Sequence, residues 1–355
     1  MSKGHPHRAL AAITVSALAL TGCAGPAPHG NELSKVQFAC AAAIDHSTVF
    51  TALEQGLFLA DRIRANVRLH ATGVEITNQV AAGGAQFGLL AASVALTAKA
   101  KGLPISILAI SHGDATSSAY NVNQTIVAGP HSGIRAGDVA SLRGKKVGVS
   151  VNTGPHAYLS SILGQHGLSP GEVTVQNIAP ADMTSALRQG SIDAFVTFEP
   201  ITSRALAEVA GSVAVASGGA RQWNDPGVVI VNTAWAAAHP GATEAVLTGI
   251  ARTAQLARAQ PGALAEVATH WINGLSQEIA GQAIRRMRFD PRLAKPVLAG
   301  LTEYTVPFLV RSTGFPAGYP VASAIDNRYL AAVRRRHPEY FADLPPLSAE
   351  QELPG

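Results

Sequence analysis

The strongest constraint on this chain is the way short β-rich runs alternate with helix-periodic stretches, stop, and start again. Residues 35–42 read as a strand, and 48–62 as a helix whose Phe50, Leu53 and Leu57 recur at i, i+3 and i+7. Strand candidates at 66–70, 86–90 and 104–110 bracket helices near 74–82 and 94–101. The pattern resumes after a strand at 125–128, with further strands at 145–150, 173–177, 192–197 and 213–216 separated by helices at 155–167, 181–189 and 200–210. Such βαβ alternation predicts a mostly parallel sheet covered by helices on both faces, built twice. A lone strand at 227–231 follows. Beyond His239 the chain turns helical, with periodic stretches near 243–259, 264–273, 277–288, 293–310 and 321–335.

An internal echo ties the two halves together. The segment from Thr77 to Phe87 can be laid on that from Thr184 to Ala194; each is a helix stopped by glycine, at Gly83-Gly84 and at Gly190, with a strand directly after. Two α/β halves joined by two crossing strands, 125–128 and 227–231, imply a hinge and a cleft. The expected division is lobe I at 34–126 and 229–345, which includes the C-terminal helices, and lobe II at 127–228.

A chain of 355 residues has room for two such bodies. Two cysteines cannot staple them, which excludes a disulfide-built scaffold. The net charge of +4 is spread out, and its only dense run is Arg334-Arg335-Arg336, so a nucleic-acid partner is not expected. Residues 76–98 carry no charge, but Asn78, Gln79, Gly83, Gly84, Gln86 and Gly88 punctuate them into helix, turn and strand rather than a membrane span.

The N-terminus reads as an address. Lys3 and Arg8 precede an uncharged run at 9–20, too short for the about 20 residues that span a bilayer, and Leu20-Thr21-Gly22-Cys23 follows. The block resembles a bacterial lipoprotein signal. That implies removal of residues 1–22, acylation of Cys23 by fatty chains such as palmitate, and a Pro/Gly/Ala-rich tether at 23–33 holding the protein on the extracytoplasmic face of the cell membrane. Cys40, the other cysteine, is then without a disulfide partner.

Catalytic and metal signatures are scarce. The chain has no H-E-x-x-H, G-x-S-x-G, phosphate-loop or C-x-x-C motif. Of its 12 histidines, His5, His7, His29, His112 and His131 fall in the leader, the tether or expected loops, and none is paired at metal-site spacing. No cofactor and no metal are expected.

Five segments carry a family resemblance: Glu54-Gln55-Gly56-Leu57-Phe58, Gly102-Leu103-Pro104, Leu142-Arg143-Gly144-Lys145-Lys146-Val147-Gly148-Val149, Pro180-Ala181-Asp182-Met183, and Ala186 to Ala194 with its Arg188-Gln189-Gly190-Ser191-Ile192-Asp193 centre. Together, in this order, they resemble the nitrate/taurine/sulfonate group of extracytoplasmic solute-binding proteins of ABC importers. The resemblance covers residues 35–231 and extends loosely into the helical C-terminus. Gln86 departs from it, standing where the group commonly carries Asp. It implies a periplasmic-binding-protein-like fold: two doubly wound α/β lobes, a two-strand hinge, and a helical C-terminal extension packed on the first lobe. It also implies a monomeric, non-enzymatic receptor that delivers a small anion to an ABC permease and its ATPase.

Ligands of open α/β sheets bind where strands end and helices begin, because helix N-termini present free N–H groups. Four junctions qualify: Asp45-His46-Ser47, Ala92-Ser93, Asn152-Thr153-Gly154-Pro155-His156 and Glu199-Pro200. The third resembles the group's short Gly/Ser/Thr loop that contacts the ligand's oxyanion. Candidate ligand contacts are therefore Asp45, His46, Ser93, Thr153, Gly154, His156 and Glu199, with Trp223, Phe195 and Phe198 as walls. Each polar residue has a plainer role as a helix cap, and each aromatic as core. Ser93 and Thr153 can donate to a sulfonate, whereas ionised Asp45 and Glu199 repel it; a ligand with an anionic end and an amine, such as an amino-sulfonate, satisfies both. A thiamine-pathway pyrimidine is the alternative ligand, although residues 41–47 offer no aromatic to sandwich a ring. A pyrimidine-forming enzyme would need a cysteine-rich motif that Cys40 alone does not make. A surface lipoprotein without transport remains the other alternative.

Overall fold

Along β1 (Ser34–Cys40), Val36, Phe38 and Cys40 enter one apolar cluster while Ala39 enters another, so the strand is buried on both faces. This computed structural model describes residue 1 and residues 33–355; residues 2–32, with the rest of the leader, Cys23 and all but the last residue of the tether, lie outside the described residues. From β1 the chain runs through α1 (Ser47–Glu54), α2 (Leu57–Ala60), β2 (Ile63–Leu69), α3 (Gly73–Ala81), β3 (Phe87–Ala91), α4 (Ala92–Ala100) and β4 (Ile105–His112). The single helix expected at 48–62 is two, because Gly56 turns into the left-handed region with φ 67°. The next strand therefore starts at Ile63, earlier than its apolar pattern alone indicates.

A second series follows: β5 (Gln124–Ala128), β6 (Lys146–Val149), α5 (Gly154–Gln165), β7 (Thr174–Asn177), α6 (Pro180–Arg188), β8 (Ala194–Phe198), α7 (Ile201–Glu208) and β9 (Val213–Ser217), before β10 (Gly227–Asn232). The strand orders are β2-β1-β3-β10-β4 and β7-β6-β8-β5-β9. Each sheet is parallel except for one strand, β10 in the first and β5 in the second, that runs antiparallel to both its neighbours. The echo read from sequence is structural: Phe87 and Ala194 open β3 and β8, pairing with Phe38 of β1 and Val147 of β6 at equivalent places. Gly83 and Gly190 before them both take positive φ, 79° and 69°.

Because β5 and β10 each lie within one sheet, the segments that pass between sheets are 113–123 and 218–226. They are laced together: Asn121 Nδ2 donates to the carbonyls of Ala220 (2.7 Å) and Trp223 (2.9 Å), and its Oδ1 accepts from Ala220 N (3.1 Å).

The C-terminal helices are α8 (Thr233–Ala238), α9 (Pro240–Ala259), α10 (Pro261–Trp271), α11 (Gln277–Arg286), α12 (Lys295–Gly300), α13 (Val306–Thr313) and α14 (Arg328–Arg336). Val246, Leu247 and Ile250 of α9 and Leu330 and Val333 of α14 complete one face of the first sheet's core; Val297, Val306 and Leu309 complete the other. The helix expected at 293–310 is interrupted by a π-helical turn at Leu301–Thr305. The wide turn lies against both crossing segments: a Cβ at Gly300 would collide with the Ser118 carbonyl, and Thr305 Oγ1 donates to Asn224 O. Among the described residues no helix is long and apolar enough to cross a membrane.

Candidate functional site

The loops after β1, β3, β4 and β6 converge with the crossing segment 218–226. After β1 the chain makes a 3-10 turn, Ile44–His46, that buries His46. His46 Nδ1 accepts from Ala41 N at 2.8 Å, which assigns its proton to Nε2, 3.7 Å from Asp45 Oδ2. His112, expected in a loop, is instead the last residue of β4, and its Nε2 lies 3.4 Å from the same oxygen. Its Nδ1 is 3.4 Å from Tyr120 Oη, which in turn accepts from Arg288 N at 3.2 Å. With that amide as donor, the tyrosine proton points at His112 Nδ1, and the His112 Nε2–H points at Asp45. Burial alone would raise the Asp45 pKa, but the two imidazoles more than offset it and hold the carboxyl well below the usual range. Burial pushes His46 down, against the pull of Asp45, which favours its neutral form.

After β3, Ser93 donates through its backbone N to Asp225 Oδ1 and through Oγ to Asp225 Oδ2, both at 2.9 Å. Asp225 is 8% exposed, and burial pushes its carboxyl up to about 6, against the pull of the Ser93 hydrogen bonds and of His112.

After β6, Asn152 takes a left-handed φ of 63° and α5 opens at Gly154-Pro155. Thr153 is exposed, with its hydroxyl turned back to donate to Ser150 O. Half-buried His156 accepts at Nδ1 from Asn152 N at 3.2 Å, and burial lowers its pKa. Gly154 makes the closest approach. A Cβ there would stand 3.1 Å from Asp225 Oδ2, 3.3 Å from Gln124 Nε2 and 3.4 Å from Trp223 Cζ2. Trp223 is buried in the second sheet's core, edge-on to Phe308 at 5.3 Å.

Glu199 is engaged elsewhere. It is fully buried, with Oε1 accepting from Arg286 Nη1 at 3.0 Å and Oε2 from Ser203 N at 3.2 Å, so it ties α7 to α11. Phe195 is in the core, while Phe198 is partly exposed. The fold thus gathers Asp45, His46, Ser93, Gly154 and Trp223 around His112 and Asp225, leaves Thr153 and His156 beside that cluster, and turns Glu199 toward the C-terminal helices. His112, Tyr120, Gln124 and Asp225 escaped sequence reasoning. Asp225 precedes Pro226-Gly227 and reads locally as a turn; its partner Ser93 is 132 positions away. No group of three or more His, Cys, Asp or Glu that could hold a metal ion occurs among the described residues.

Residues 43–263, more than half of the chain, match the family described as NMT1/THI5 like. The chain belongs to this family. The taurine-binding periplasmic protein of Escherichia coli (strain K12) is 27% identical over 176 residues, 49% of this chain and 51% of that one, so the match spans about half the length of this curated relative. Among solved structures, the aliphatic sulphonate binding protein SsuA of Escherichia coli superposes with a TM-score of 0.70 at 16% identity, covering 91% of this chain and 97% of that one. The alkanesulfonate-binding protein SsuA of Xanthomonas axonopodis pv. citri, bound to MOPS, gives 0.67 at 17%, covering 84% and 100%. The desulfurization enzyme DSZB gives 0.62 at 17%, covering 86% and 99%. This chain and these solved structures share one periplasmic-binding-protein-like fold, which occurs in binding proteins and in an enzyme alike.

Proposed function

We propose that this protein is the extracytoplasmic solute-binding component of an ABC importer, taking a small sulfonate- or taurine-like solute between its two sheets and delivering it to the permease and its ATPase. The observation that carries this reading is the convergence of strand-end loops from both sheets, at Ser93 and Gly154, on one crossing-segment residue, Asp225. That arrangement lets a ligand be held by two bodies whose connection runs through residues 113–123 and 218–226. We assign residues 34–126 and 229–345 to one lobe and 127–228 to the other, and we assign Cys23 as the lipid attachment that keeps the protein at the membrane.

Binding without chemistry fits the groups present. Cys40 is buried, and burial together with Asp45 raises its thiol pKa well above the ordinary value, which suppresses thiolate formation. The polar groups match a ligand with two ends. Asp45, ionised and partly exposed, suits an amine, while at the start of α5, where Pro155 has no N–H and the His156 and Ala157 amides donate to Thr153 O at 3.1 Å, the Gly154 N–H is left to face anionic oxygens. A helix terminus contributes up to about 2 kcal/mol, and micromolar binding requires about 8 kcal/mol, so closure around the solute supplies the larger part.

Titration calorimetry against taurine, alkanesulfonates, aryl sulfonates, nitrate and a thiamine-pathway pyrimidine tests the assignment. Micromolar heats with one of the sulfonates are expected. Silence toward all sulfonates removes that ligand class, and binding of the pyrimidine alone reassigns the cleft to it.

A further inference from the structure

At the start of α4 the Ala92 and Ser93 amides and the Ser93 hydroxyl are already taken by groups of the protein itself. Both oxygens of Asp225 are engaged by Ser93, one by the amide and one by the hydroxyl, each at 2.9 Å. Asp225 is held in place by its own backbone. Its N donates to Tyr120 O at 3.2 Å, the following Pro226 carbonyl accepts from Ala92 N at 2.9 Å, and Gly227 pairs in register with Ala91. On its other side Oδ2 faces the start of α5, where a Cβ at Gly154 would stand 3.1 Å from it, 3.3 Å from Gln124 Nε2 and 3.4 Å from Trp223 Cζ2. Two buried polar atoms there have no hydrogen-bond partner among the described residues: the Trp223 Nε1 donor and the Gln124 Oε1 acceptor. The charged and titratable side chains linked to this cluster are Asp45, Asp225, His46, His112 and Tyr120, with Arg288 and Asp114 acting on Tyr120, while Arg286 is paired with Glu199.

We infer that Asp225 is a specificity-determining residue: as a resident carboxylate it fills the Ser93 anion site, so the cleft selects solutes that carry an ammonium or similar donor and discriminates against bare anions. The inference rests on the solute-binding reading of this cleft. The ligand class is a short zwitterion, an amino-sulfonate or amino-carboxylate. Its ammonium is received by Asp225 and Asp45, and its anionic oxygens by the α5 N-terminus and the Trp223 Nε1–H. A solute with only the anionic end meets two carboxylates, Asp225 and Asp45, that it has no ammonium to pair with.

A matched pair of solutes tests this: 2-aminoethanesulfonate and ethanesulfonate, titrated by calorimetry into the wild-type protein, Asp225→Asn and the double variant Asp225→Asn/Ser93→Ala, with circular dichroism to verify folding. The wild type is expected to prefer the amine-bearing compound by about ten-fold or more. In Asp225→Asn the preference should fall to within about two-fold, partly through gained affinity for ethanesulfonate as the repelling charge is lost, and the double variant should show the same loss of preference. Equal affinity of the wild type for both compounds overturns the inference without any variant, and so does an unchanged ratio in a folded Asp225→Asn. If no solute of any class binds the wild type, the solute-binding reading itself falls and takes this inference with it.

Discussion

Asp225 and Asp45 are carboxylates in one cluster with opposite displacements, and each gives a pH window of its own. Asp225, at about 6 against an ordinary 3.8, binds its proton more tightly in the folded than in the unfolded protein. Its contribution to stability is therefore fully present below about pH 4 and is lost as the pH rises through about 6, an effect on the order of 3 kcal/mol. Thermal melting of wild type and Asp225→Asn at pH 4.5 and 7.5 should show the variant gaining on the wild type at the higher pH; a difference that does not change with pH contradicts the assignment. Asp45 works the other way. Its two histidines depress it, so it stabilises the fold above the ordinary carboxylate range and loses that effect as the pH falls below it. Glu199 shows how little a residue's type says about its task. An acid before proline at a strand end looked like a ligand contact, but its carboxylate joins α7 to Arg286. Glu199→Gln should lower stability by about 3 kcal/mol, because Arg286 loses its charged partner, and should leave solute affinity within about two-fold. A large loss of affinity at unchanged melting temperature would return Glu199 to the site.

At the scale of elements, the strands and helices follow from local pattern, and the departures have tertiary causes. Apolar alternation places Phe38 on the same face as Val36 and Cys40, and Phe38 stacks against Phe58 (5.2 Å) with Phe87 beside it at 5.5 Å. Phe38→Ala should cost about 3–5 kcal/mol in denaturant unfolding, and a cost below about 1 kcal/mol would mean the ring is not in the core. The break in the helix at 301–305 was invisible in the periodicity. Gly300 there faces a carbonyl from a segment 182 residues earlier in the chain, Ser118, and local apolar spacing carries no information about such a neighbour. Gly154→Ala would place its methyl beside Asp225, Gln124 and Trp223. The expected result is about a ten-fold or greater loss of solute affinity in a protein that still folds, with stability lowered by about 1–3 kcal/mol, read by calorimetry and melting together. Intact affinity would move the ligand away from the start of α5.

For the whole molecule, two sheets of matching strand order are joined by segments 113–123 and 218–226, and the C-terminal helices touch both sides. Asn224 Nδ2 donates to Val297 O at 3.1 Å, and Phe308 of α13 meets Trp223. The helices beyond β10 thus do more than cover the first sheet; they also brace the connection. Asn121→Ala removes the lacing between the two crossings. It should broaden the solution dimensions seen by small-angle scattering in the absence of solute, with the difference removed by a bound solute; identical profiles in both states would show that the lacing does not restrain the two sheets.

The sequence alone settled the alternation of strands and helices, the glycine stops at Gly83 and Gly190, the repetition of one α/β half in another and the loops at Ser93 and Gly154. Each of these is set by spacing among near neighbours, and side-chain periodicity and glycine's access to positive φ report it directly. Only the tertiary structure decided that Asp225 fills the Ser93 donors, that His112 stands at a strand end against Asp45, and that Glu199 turns to Arg286. Those are pairings between residues many tens of positions apart, and burial and charge select them only when the chain closes on itself.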